Sequence, residues 1–181
     1  MTEIIQKEDQ LLRLIAKEIP IAEIRTEKIR KIIVEMMTVL DKCPDGVALA
    51  APQIGLSLRL FIVSPKAFII QNNQETTNKQ KKDPDKLIYI NPIITKRSSK
   101  QVILDEGCLS VKGTFGKIKR HNKVTVTAHD EMGKKFTRGA SGLLAEIFQH
   151  ETDHLNGILF IDTAKDLTDA ANQKSQDGAA K

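Results

Sequence analysis

The sequence is poor in the residue types that build disulfide-rich or membrane-spanning proteins. Its 181 residues include two cysteines, one tyrosine and no tryptophan. Two cysteines cannot form a disulfide framework, and no apolar run approaches the ~20 residues that a membrane span needs. The N-terminal residues include Glu3, Glu8 and Asp9, which is atypical of a signal or transit peptide. We therefore expect a protein of the reducing cytoplasm with no membrane contact.

What is present is the composition of an ordinary globular protein. Apolar residues make up 40% of the chain and charged residues 28%, a balance typical of a chain that folds around a core. The length suits one domain. The polar C-terminal residues show no apolar periodicity. We therefore expect one folded domain over 1–163, followed by a polar tail. The tail over 164–181 is expected to be mobile or to dock loosely as a helix.

Two segments have the periodicity of amphipathic helices. Over 26–41, apolar residues recur at every third or fourth position, and the sequence CPDG at 43–46 ends the pattern. Over 141–155, an apolar stripe ends at Asn156 and Gly157. Both segments are therefore predicted to be helices with one face on the core.

Shorter β-rich runs predict strands. The candidates lie at 59–63, 87–94, 102–104, 124–128 and 158–161. Three further features separate them: a bend or sheet edge at Asn91 and Pro92, a hairpin turn over 130–134, and an exposed polar loop over 71–85.

The most informative motif lies inside the second predicted helix. Residues 150–154 read HETDH, which is an H-E-x-x-H pattern. The spacing of His150 and His154 puts both imidazoles on one helix face, where they can share a metal ion. Glu151 lies beside them and is placed to take a proton from a water that the metal acidifies. The alternative is a solvated helix face with two unrelated histidines.

The third metal ligand decides the chemistry of such a site. A third histidine six residues after His154 would suit one class of metallopeptidase, but Phe160 stands there. Asp162 or Asp166 stays open as a downstream ligand. Upstream, Cys108 would complete a Cys-His-His set of the kind that holds zinc, iron or cobalt with one open position. Cys43 has no polar neighbours in the sequence and is interpreted as a small buried hydrophobe.

Three motifs, in one order, resemble the signature motifs of peptide deformylases. They are GVALAAPQIG at 46–55, EGCLS at 106–110 and QHETDHLNG at 149–157. The resemblance implies a single-domain α+β fold in which antiparallel strands pack around a central H-E-x-x-H helix. It also implies removal of formate from the N-formyl-methionine of newly made proteins.

The resemblance assigns roles to individual residues. The implied metal ligands are Cys108, His150 and His154, and the implied metal is Fe(II) in the cell, with Zn, Ni or Co able to substitute. Glu151 is the implied general base. The side-chain amide of Gln53 and the backbone N–H of Leu109 are the implied donors to the oxyanion, and a charge pair of Glu106 with Arg120 is implied behind the Cys108 loop. The alternative for Glu106 and Arg120 is that both are ordinary solvated charges.

The same resemblance implies a peptide-binding groove. The segment 46–55 is expected to offer a backbone edge to which the substrate adds as a strand, with Gly46, Val47, Ala48 and Gly107 along it and with Val47 and Gly107 as main-chain partners. The helix residues Leu143 and Ile147 are candidates for the methionine pocket, with core packing as an equally good alternative.

Three positions depart from the family pattern. Ala48 replaces a glycine, which limits the backbone and narrows the groove. Glu146 lies one turn before His150, where it is expected to reach solvent, with selection of basic substrate side chains as the alternative. Lys112 stands where relatives often have proline, which puts the shape of the following loop in doubt.

Positive charge is concentrated around the EGCLS motif. Residues 96–123 carry eight Lys or Arg against Asp105 and Glu106. A solvated surface is the favoured interpretation, and transient contact with ribosomal RNA is the alternative. The functional expectation is thus a monomeric metal-dependent deformylase of N-formylated nascent peptides. The alternatives are an H-E-x-x-H metallopeptidase and a deformylase-like binding domain with weak or no activity.

Overall fold

The protein has an α+β fold built from two antiparallel sheets and three helices. A computed structural model describes residues 2–74 and 87–169. The helices are α1 Glu27–Asp41, α2 Pro65–Gln74 and α3 Gly142–Leu155. The strands are β1 Ala48–Ala50, β2 Leu60–Val63, β3 Ile88–Arg97, β4 Gln101–Cys108, β5 Val111–His121, β6 Lys123–His129, β7 Lys135–Ser141 and β8 Lys165–Asp169.

The first predicted helix is confirmed as α1. The Thr26 hydroxyl caps it by accepting from the Ile29 N–H at 3.5 Å, and this satisfies one of the donors that a helix start leaves open. The apolar face that the sequence shows is the face that packs: Ile29, Ile33 and Met36 are all at most 6% exposed. This face rests on the larger sheet, and α1 therefore covers one side of it.

The larger sheet has the strand order β1-β2-β3-β6-β7. Strand β2 is buried on both faces: Leu60 and Ile62 pack with α1, while Phe61 and Val63 pack with α3. A strand covered on both sides reads as a continuous apolar run, which is why the sequence LFIV shows no alternation. The α3 side of the core holds an aromatic cluster in which the Tyr89 ring lies 4.6 Å from Phe61 and 4.9 Å from Phe148.

Strand β3 contains the predicted bend. Asn91 has φ +50°, and the pairing with β6 shifts register between Ile90 and Ile93. The Asn91 amide stabilises the bend by pairing with both backbone groups of Ile19, at 2.9 and 2.7 Å. The alternative of a sheet edge also holds in part: β2 pairs with β3 only as far as Ile90, and from Ile93 to Arg97 the partner of β3 among the described residues is β6 alone. Pro92 is tolerated there because the ladder is already interrupted.

The smaller sheet has the order β4-β5-β8. Strand β4 extends the predicted 102–104 strand to Cys108, and β5 was not predicted. The expectation of a mobile or helical tail from residue 164 is wrong for Lys165–Asp169, which pairs with β5 as strand β8. The rest of the tail, residues 170–181, lies outside the described residues. Residues on both sides of the proposed 163/164 boundary therefore contact this sheet.

Two local predictions need correction. The polar segment 71–85 was expected to be a loop, but its first four residues complete helix α2, and residues 75–86 lie outside the described part. The Gln71 side chain is buried and accepts from the Leu144 N–H at 3.3 Å, which draws α2 onto α3. The strand expected at 158–161 is instead an irregular segment followed by a 3₁₀ turn, Phe160–Asp162.

Helix α3 is the central element, as the sequence predicts. It contacts β1, β3, β5, β6 and β7 as well as α2. Asn156 ends it, and Gly157 follows with φ +74°, a conformation that glycine adopts without strain. In the described residues, none of the helices has the length and apolar composition of a membrane span.

Candidate metal centre

Helix α3 brings the two histidines of the H-E-x-x-H motif together. The ring centroids of His150 and His154 are 4.8 Å apart, with the rings 77° from parallel. This proximity follows from the helical period, which places residues four apart on one face. Gln149 fixes the helix against β5: its amide accepts from the His121 N–H at 2.9 Å and donates to the His121 carbonyl at 3.0 Å. The rings are therefore held over the end of the smaller sheet.

Cys108 approaches the histidines from the end of β4. The β4–β5 pairing shifts register between Gly107 and Cys108, and such an irregularity re-aims a side chain at the end of a strand. The sulfur lies 3.2 Å from His154 Nε2 and accepts from the Ser110 N–H at 3.4 Å. One ligand atom from each of Cys108, His150 and His154 lies within 4.8 Å of the other two.

This donor set fits a divalent metal ion. A thiolate and two imidazoles suit Zn²⁺, Fe²⁺ or Co²⁺. His154 is 1% exposed, and its Nδ1 has no hydrogen-bond partner among the described residues. Burial and the neighbouring His150 keep the pKa of His154 well below its usual value, so the ring is neutral and carries a free lone pair. A neutral imidazole is the form that binds metals.

A buried charge cluster lies directly behind the site. Arg120 donates to Glu106 twice, from Nε at 2.9 Å and from Nη2 at 2.8 Å, and from Nη1 to Asp153 at 2.5 Å. Glu106 in turn pairs with Nδ1 of His150. The chain of contacts from Arg120 through Glu106 to His150 therefore orients a ring of the metal centre.

The cluster sets the charge state of its members. Burial alone would raise the pKa of Glu106, but the hydrogen bonds from His150 and Arg120 lower it to about 2. Burial alone would lower the pKa of His150, but its contacts with Cys108 and Glu106 raise it well above the usual value. Glu106 is therefore ionised at neutral pH, and it is the anion that His150 and Arg120 share.

Glu151 has the environment of a general base. It is 4% exposed, and its Oε2 has no hydrogen-bond partner among the described residues. Burial raises the pKa of Glu151 to about 7, and the nearby His150 offsets only part of that rise. A carboxylate with a pKa near the working pH exchanges protons most effectively.

Gln53 lies opposite the histidines with its amide held on both sides. It belongs to a 3₁₀ turn, Ala51–Ile54, and is 1% exposed. Its Oε1 accepts from the Ala50 N–H at 2.8 Å, so that Nε2 points at the Cys108 loop, 3.3 Å from Ser110 Oγ and 3.6 Å from Cys108 Sγ. The amide N–H groups therefore face the metal centre.

An N-terminal segment ties Gln53 and the Cys108 loop together. The Ile5 N–H donates to the Gln53 carbonyl at 2.9 Å. Gln6 donates from Nε2 to the Leu109 carbonyl at 3.2 Å and accepts from the Lys112 N–H at 3.4 Å. The loop around Lys112, whose shape the sequence left in doubt, is held by this contact, and Gly113 turns it with φ +75°.

A cavity of about 720 Å³ opens onto the metal centre. Several residues that the sequence assigns to the groove and to catalysis line it: Gly46, Val47, Ala48, Gln53, Gly107, Cys108, Leu109, Leu143, Ile147, His150 and Glu151. His154 and Arg120 do not line it, because they lie behind this wall. Its volume is that of a site for a small molecule or a short peptide.

The hydrogen bonding beside β1 narrows one expectation. The Val47 carbonyl already accepts from the Ser64 N–H at 2.8 Å, so this acceptor is used within the protein. The strand that follows, β1, is the edge strand of the larger sheet and pairs on one side only, with β2. Ala48 is its first residue. Its φ is not positive, so the replacement of glycine causes no backbone strain there.

Several site features escaped the sequence. Ser110 and Asp153 lie inside quoted motifs, but only the fold shows that they contact Gln53 and Arg120. Cys43, interpreted as buried, is only partly so and lines the cavity as a free thiol. Glu146, expected to reach solvent, is half-buried in the cavity wall. The metallopeptidase position Phe160 is 2% exposed and packs with Leu12 and Ile118.

Known proteins resemble this chain over nearly its whole length. A sequence profile described as "Polypeptide deformylase" matches residues 1–170. Peptide deformylase 1A, chloroplastic/mitochondrial, of Arabidopsis thaliana is 38% identical over 164 residues, which cover 90% of this chain and 61% of the plant protein. Peptide deformylase 2 of Clostridium acetobutylicum is 39% identical over 155 residues, covering 86% and 89%.

Solved structures agree with these sequence matches. A peptide deformylase from Synechococcus elongatus, crystallised in complex with actinonin, superposes with a TM-score of 0.76 at 31% identity. That match covers 91% of this chain and 79% of the other. The chain spans only 61% and 59% of the lengths of the Arabidopsis and Solanum lycopersicum relatives. With the profile match and the shared fold, the chain belongs to the polypeptide deformylase family.

Proposed function

We propose that the protein removes the formyl group from the N-terminal formyl-methionine of nascent proteins. Hydrolysis breaks the formyl C–N bond, adds water, and releases formate and a free amine. The observation that carries the proposal is the convergence of Cys108, His150 and His154. Cys108 and His150 line one cavity together with Glu151, whose Oε2 has no hydrogen-bond partner among the described residues. Family membership points to the same reaction, and the related bacterial and plant proteins carry the name of this activity.

Cys108, His150 and His154 are the residues that we expect to hold the metal ion. We propose Fe(II) as the metal in the cell, with Zn, Ni or Co able to replace it, because one thiolate and two imidazoles accept all four ions. When bound, such an ion lowers the pKa of water and polarises a carbonyl oxygen. Glu106 holds His150 by its Nδ1, which leaves Nε2 for the ion.

Glu151 moves the proton in this scheme. Its carboxylate accepts a proton from the attacking water and returns it to the leaving amine, which would otherwise depart as a poor leaving group. The pKa of about 7 that burial gives Glu151 suits both transfers. Because its Oε2 has no competing donor among the described residues, the oxygen is available to the water.

Gln53 and Leu109 stabilise the negative charge that develops on the formyl oxygen. The Ala50 N–H and Ser110 fix the Gln53 amide before the substrate arrives. Leu109 lies between β4 and β5, and its carbonyl is held by the Gln6 amide at 3.2 Å. Donors that need no reorganisation at the moment of reaction give the largest stabilisation of an oxyanion.

The substrate peptide adds to the free edge of β1. Ala48 offers its backbone groups there, and Gly107 lines the cavity from the opposite wall. A side chain on Gly107 would collide with the Phe115 ring, at 2.7 Å, so the glycine keeps this wall thin. Recognition through the main chain tolerates many sequences, as an enzyme of nascent proteins requires. Leu143 and Ile147 are proposed to contact the methionine side chain.

The decisive experiment is formate release from formyl-Met-Ala-Ser by protein purified anaerobically and loaded with Fe(II). We expect stoichiometric formate and Met-Ala-Ser. Acetyl-Met-Ala-Ser is the matched control and should stay intact, and chelation of the metal should stop the reaction. Full metal occupancy without formate would refute the proposal, and cleavage within the peptide chain would favour a metallopeptidase. Metal content after anaerobic purification identifies the native ion.

We further propose that the basic segment 96–123 contacts the ribosome and that the protein acts as a monomer. Arg120 is buried in its ion pair with Glu106, but the other seven cations are exposed. Such a cluster attracts phosphates in a salt-dependent manner. Co-sedimentation with ribosomes should weaken with added salt and in Lys117→Glu/Lys119→Glu, and binding independent of both would exclude this contact. Sedimentation velocity tests the monomer.

A further inference from the structure

The free edge of β4 differs from the other strand edges of the protein. Strand β4 has eight residues, QVILDEGC, and within the described residues 2–74 and 87–169 it pairs only with β5. It contains neither proline nor lysine, the residues that commonly protect an edge strand. By contrast, the edge strand β1 has three residues, and the edge strands β7 and β8 each carry a lysine. A long, unprotected edge is a surface to which an extended peptide can add as a strand.

The exposure of β4 suits such an addition. Ile103 lies in the middle of the strand and is 70% exposed. Gln101 and Asp105 lie on the same face, because side chains alternate along a strand, and both are exposed. The isoleucine therefore offers an added strand an apolar, β-branched neighbour, and cross-strand pairs of this kind stabilise a sheet.

Strand β4 leads directly into the cavity. Its last three residues, Glu106, Gly107 and Cys108, line the cavity, whereas the part from Gln101 to Asp105 extends beyond it. A substrate whose formyl group reaches the metal centre therefore begins beside the C-terminal end of β4. A peptide that starts there and pairs with β4 must run back towards Gln101, antiparallel to the strand.

The length of β4 determines how much of the substrate it can bind. Strand β1, to which the proposed substrate adds, has only three residues, and its edge ends after about three substrate residues. The part of β4 from Gln101 to Glu106 continues the binding surface for about 20 Å, at about 3.4 Å per residue. If the first substrate residue lies opposite Gly107, antiparallel pairing places the fifth opposite Ile103.

We propose that residues four to seven of the formylated chain add to the free edge of β4 as an antiparallel strand, with the fifth residue against Ile103. This inference rests on the proposed function and deepens it, because it extends the same site along the same substrate. Binding is mainly through the main chain, so the surface accepts many nascent sequences. It favours an extended chain with an apolar, β-branched fifth residue.

The first test compares formyl-Met-Ala-Ser with the heptapeptide formyl-Met-Ala-Ser-Thr-Val-Thr-Thr. The measured quantity is the length ratio, which is kcat/KM for the heptapeptide divided by kcat/KM for the tripeptide. We expect a length ratio of about five or more, because one net backbone hydrogen bond contributes a factor of about 2–10. The gain should lie in KM, since contacts remote from the reacting bond bind substrate and transition state alike. A length ratio near one overturns the inference.

Backbone methylation distinguishes strand addition from other contacts of a longer peptide. In an added strand, successive N–H groups point to opposite sides, and only alternate groups donate to β4. The test uses two heptapeptides, one methylated at the nitrogen of residue four and the other at the nitrogen of residue five. One of them should lose the gain from length, and the other should keep it. Loss in both peptides, or in neither, overturns the inference.

Ile103 provides the variant that tests the proposed side-chain contact. Ile103→Ala should lower the length ratio about two- to fivefold, because the fifth residue loses its cross-strand partner. Met132→Ala is the matched control, since Met132 is 60% exposed in the turn between β6 and β7 of the larger sheet. That variant should keep the wild-type length ratio. Equal length ratios in the two variants overturn the inference.

A binding measurement separates this inference from the proposed function. Calorimetry with the unformylated peptides Met-Ala-Ser-Thr-Val-Thr-Thr and Met-Ala-Ser needs no turnover. Tighter binding of the heptapeptide to wild type, reduced in Ile103→Ala, supports the inference even if no formyl peptide yields formate, a result that would refute the function alone. Equal binding of the two peptides to wild type counts against the inference.

Discussion

Arg120 and Glu106 form a two-pronged ion pair whose members are 7% and 3% exposed. The pair joins β5 to β4, and Glu106 continues it to the His150 ring on α3. A single carboxylate thus links three elements whose side chains converge on the metal centre. The planar guanidinium of Arg120 fixes the geometry of this ion pair, because it donates to both carboxylate oxygens at once. A lysine has no such planar pair of donors and could not replace it.

Arg120→Met should weaken both the fold and the metal site. It leaves Glu106 and Asp153 without their cation, and a broken buried pair costs about 3–5 kcal/mol. We also expect metal affinity to fall about 10–100-fold, since the support of His150 is lost. Urea unfolding of the metal-free protein and Co²⁺ titration measure the two effects. Lys119→Met removes the same charge from an exposed neighbour, and an equal loss of stability in that variant would contradict the prediction.

Cys108→Ala should abolish the metal centre, while Cys43→Ala should leave it intact. Cys43 is the other thiol of the chain and contacts the Val39 carbonyl at 3.4 Å instead of the histidines. With Co²⁺ as a probe, the thiolate charge-transfer absorption should disappear in Cys108→Ala, and metal content should fall at least about tenfold. A persistent absorption band in that variant would show that the sulfur is not a ligand.

Glu151→Gln should keep the metal and lose turnover. The substitution preserves the shape of a buried side chain but removes its ability to accept a proton. Loss of a general base lowers kcat/KM by about 10²–10⁴-fold. Formate release and metal content are measured on the same preparation. If metal loss were the main effect, Glu151 would be a structural residue and the general-base role would be wrong.

Gln71→Met should destabilise the start of α3, and Ser141→Ala should not. Ser141 occupies the N-cap position but makes no capping hydrogen bond. The Leu144 N–H is satisfied instead by Gln71 from α2. Loss of a cap typically costs about 1 kcal/mol, so urea unfolding should show this loss in Gln71→Met and less than about 0.5 kcal/mol in Ser141→Ala. The reverse order would mean that the serine is the cap.

Asp162 should give a pH-dependent contribution to stability. Partial burial would raise its pKa, but hydrogen bonds from Arg13 and from the Leu159 N–H outweigh it and lower the pKa below the ordinary value. The folded state therefore binds this proton less tightly than the unfolded state. The contribution is complete above the ordinary aspartate pKa and is lost as pH falls through the lowered value.

Asp162→Asn measures this contribution. Arg13 and Asp162 are each about one-third exposed, so solvent screening limits the loss at pH 6 to roughly 1 kcal/mol. The loss should be smaller at pH 3. Equal losses at the two pH values, measured by urea unfolding of the metal-free protein, would mean that the carboxyl group titrates normally.

The sequence predicted the elements whose pattern is local. Helices α1 and α3 show their apolar stripes directly, and β6 alternates Val124, Val126 and Ala128 with polar residues. Strand β5 was not predicted because its inward positions include Gly116 and Arg120, which read as a turn residue and a surface charge. Arg120 is buried only because Glu106, on another strand, neutralises it. Burial of this kind depends on a partner distant in sequence and is invisible to periodicity.

The site residues also fall into those that local sequence predicts and those that depend on contacts between distant segments. His150 and His154 follow from helical spacing, and Cys108 was one of several open third ligands until the family motifs were considered. The contacts of Gln53 with Ser110 and the half-burial of Glu146 come from packing between segments far apart in the chain. The use of the Val47 carbonyl by the Ser64 N–H also depends on how β1 and β2 lie against each other, which the sequence does not show.

Ile5 and Gln6 contact Gln53 and Leu109, the two proposed oxyanion donors, which are 56 positions apart in the chain. One short segment therefore holds the backbone of both residues, and their spacing depends on residues outside the cavity. If the proposed roles are correct, a substitution at Ile5 or Gln6 shifts the two donors and slows hydrolysis while Cys108 and the histidines still bind the metal.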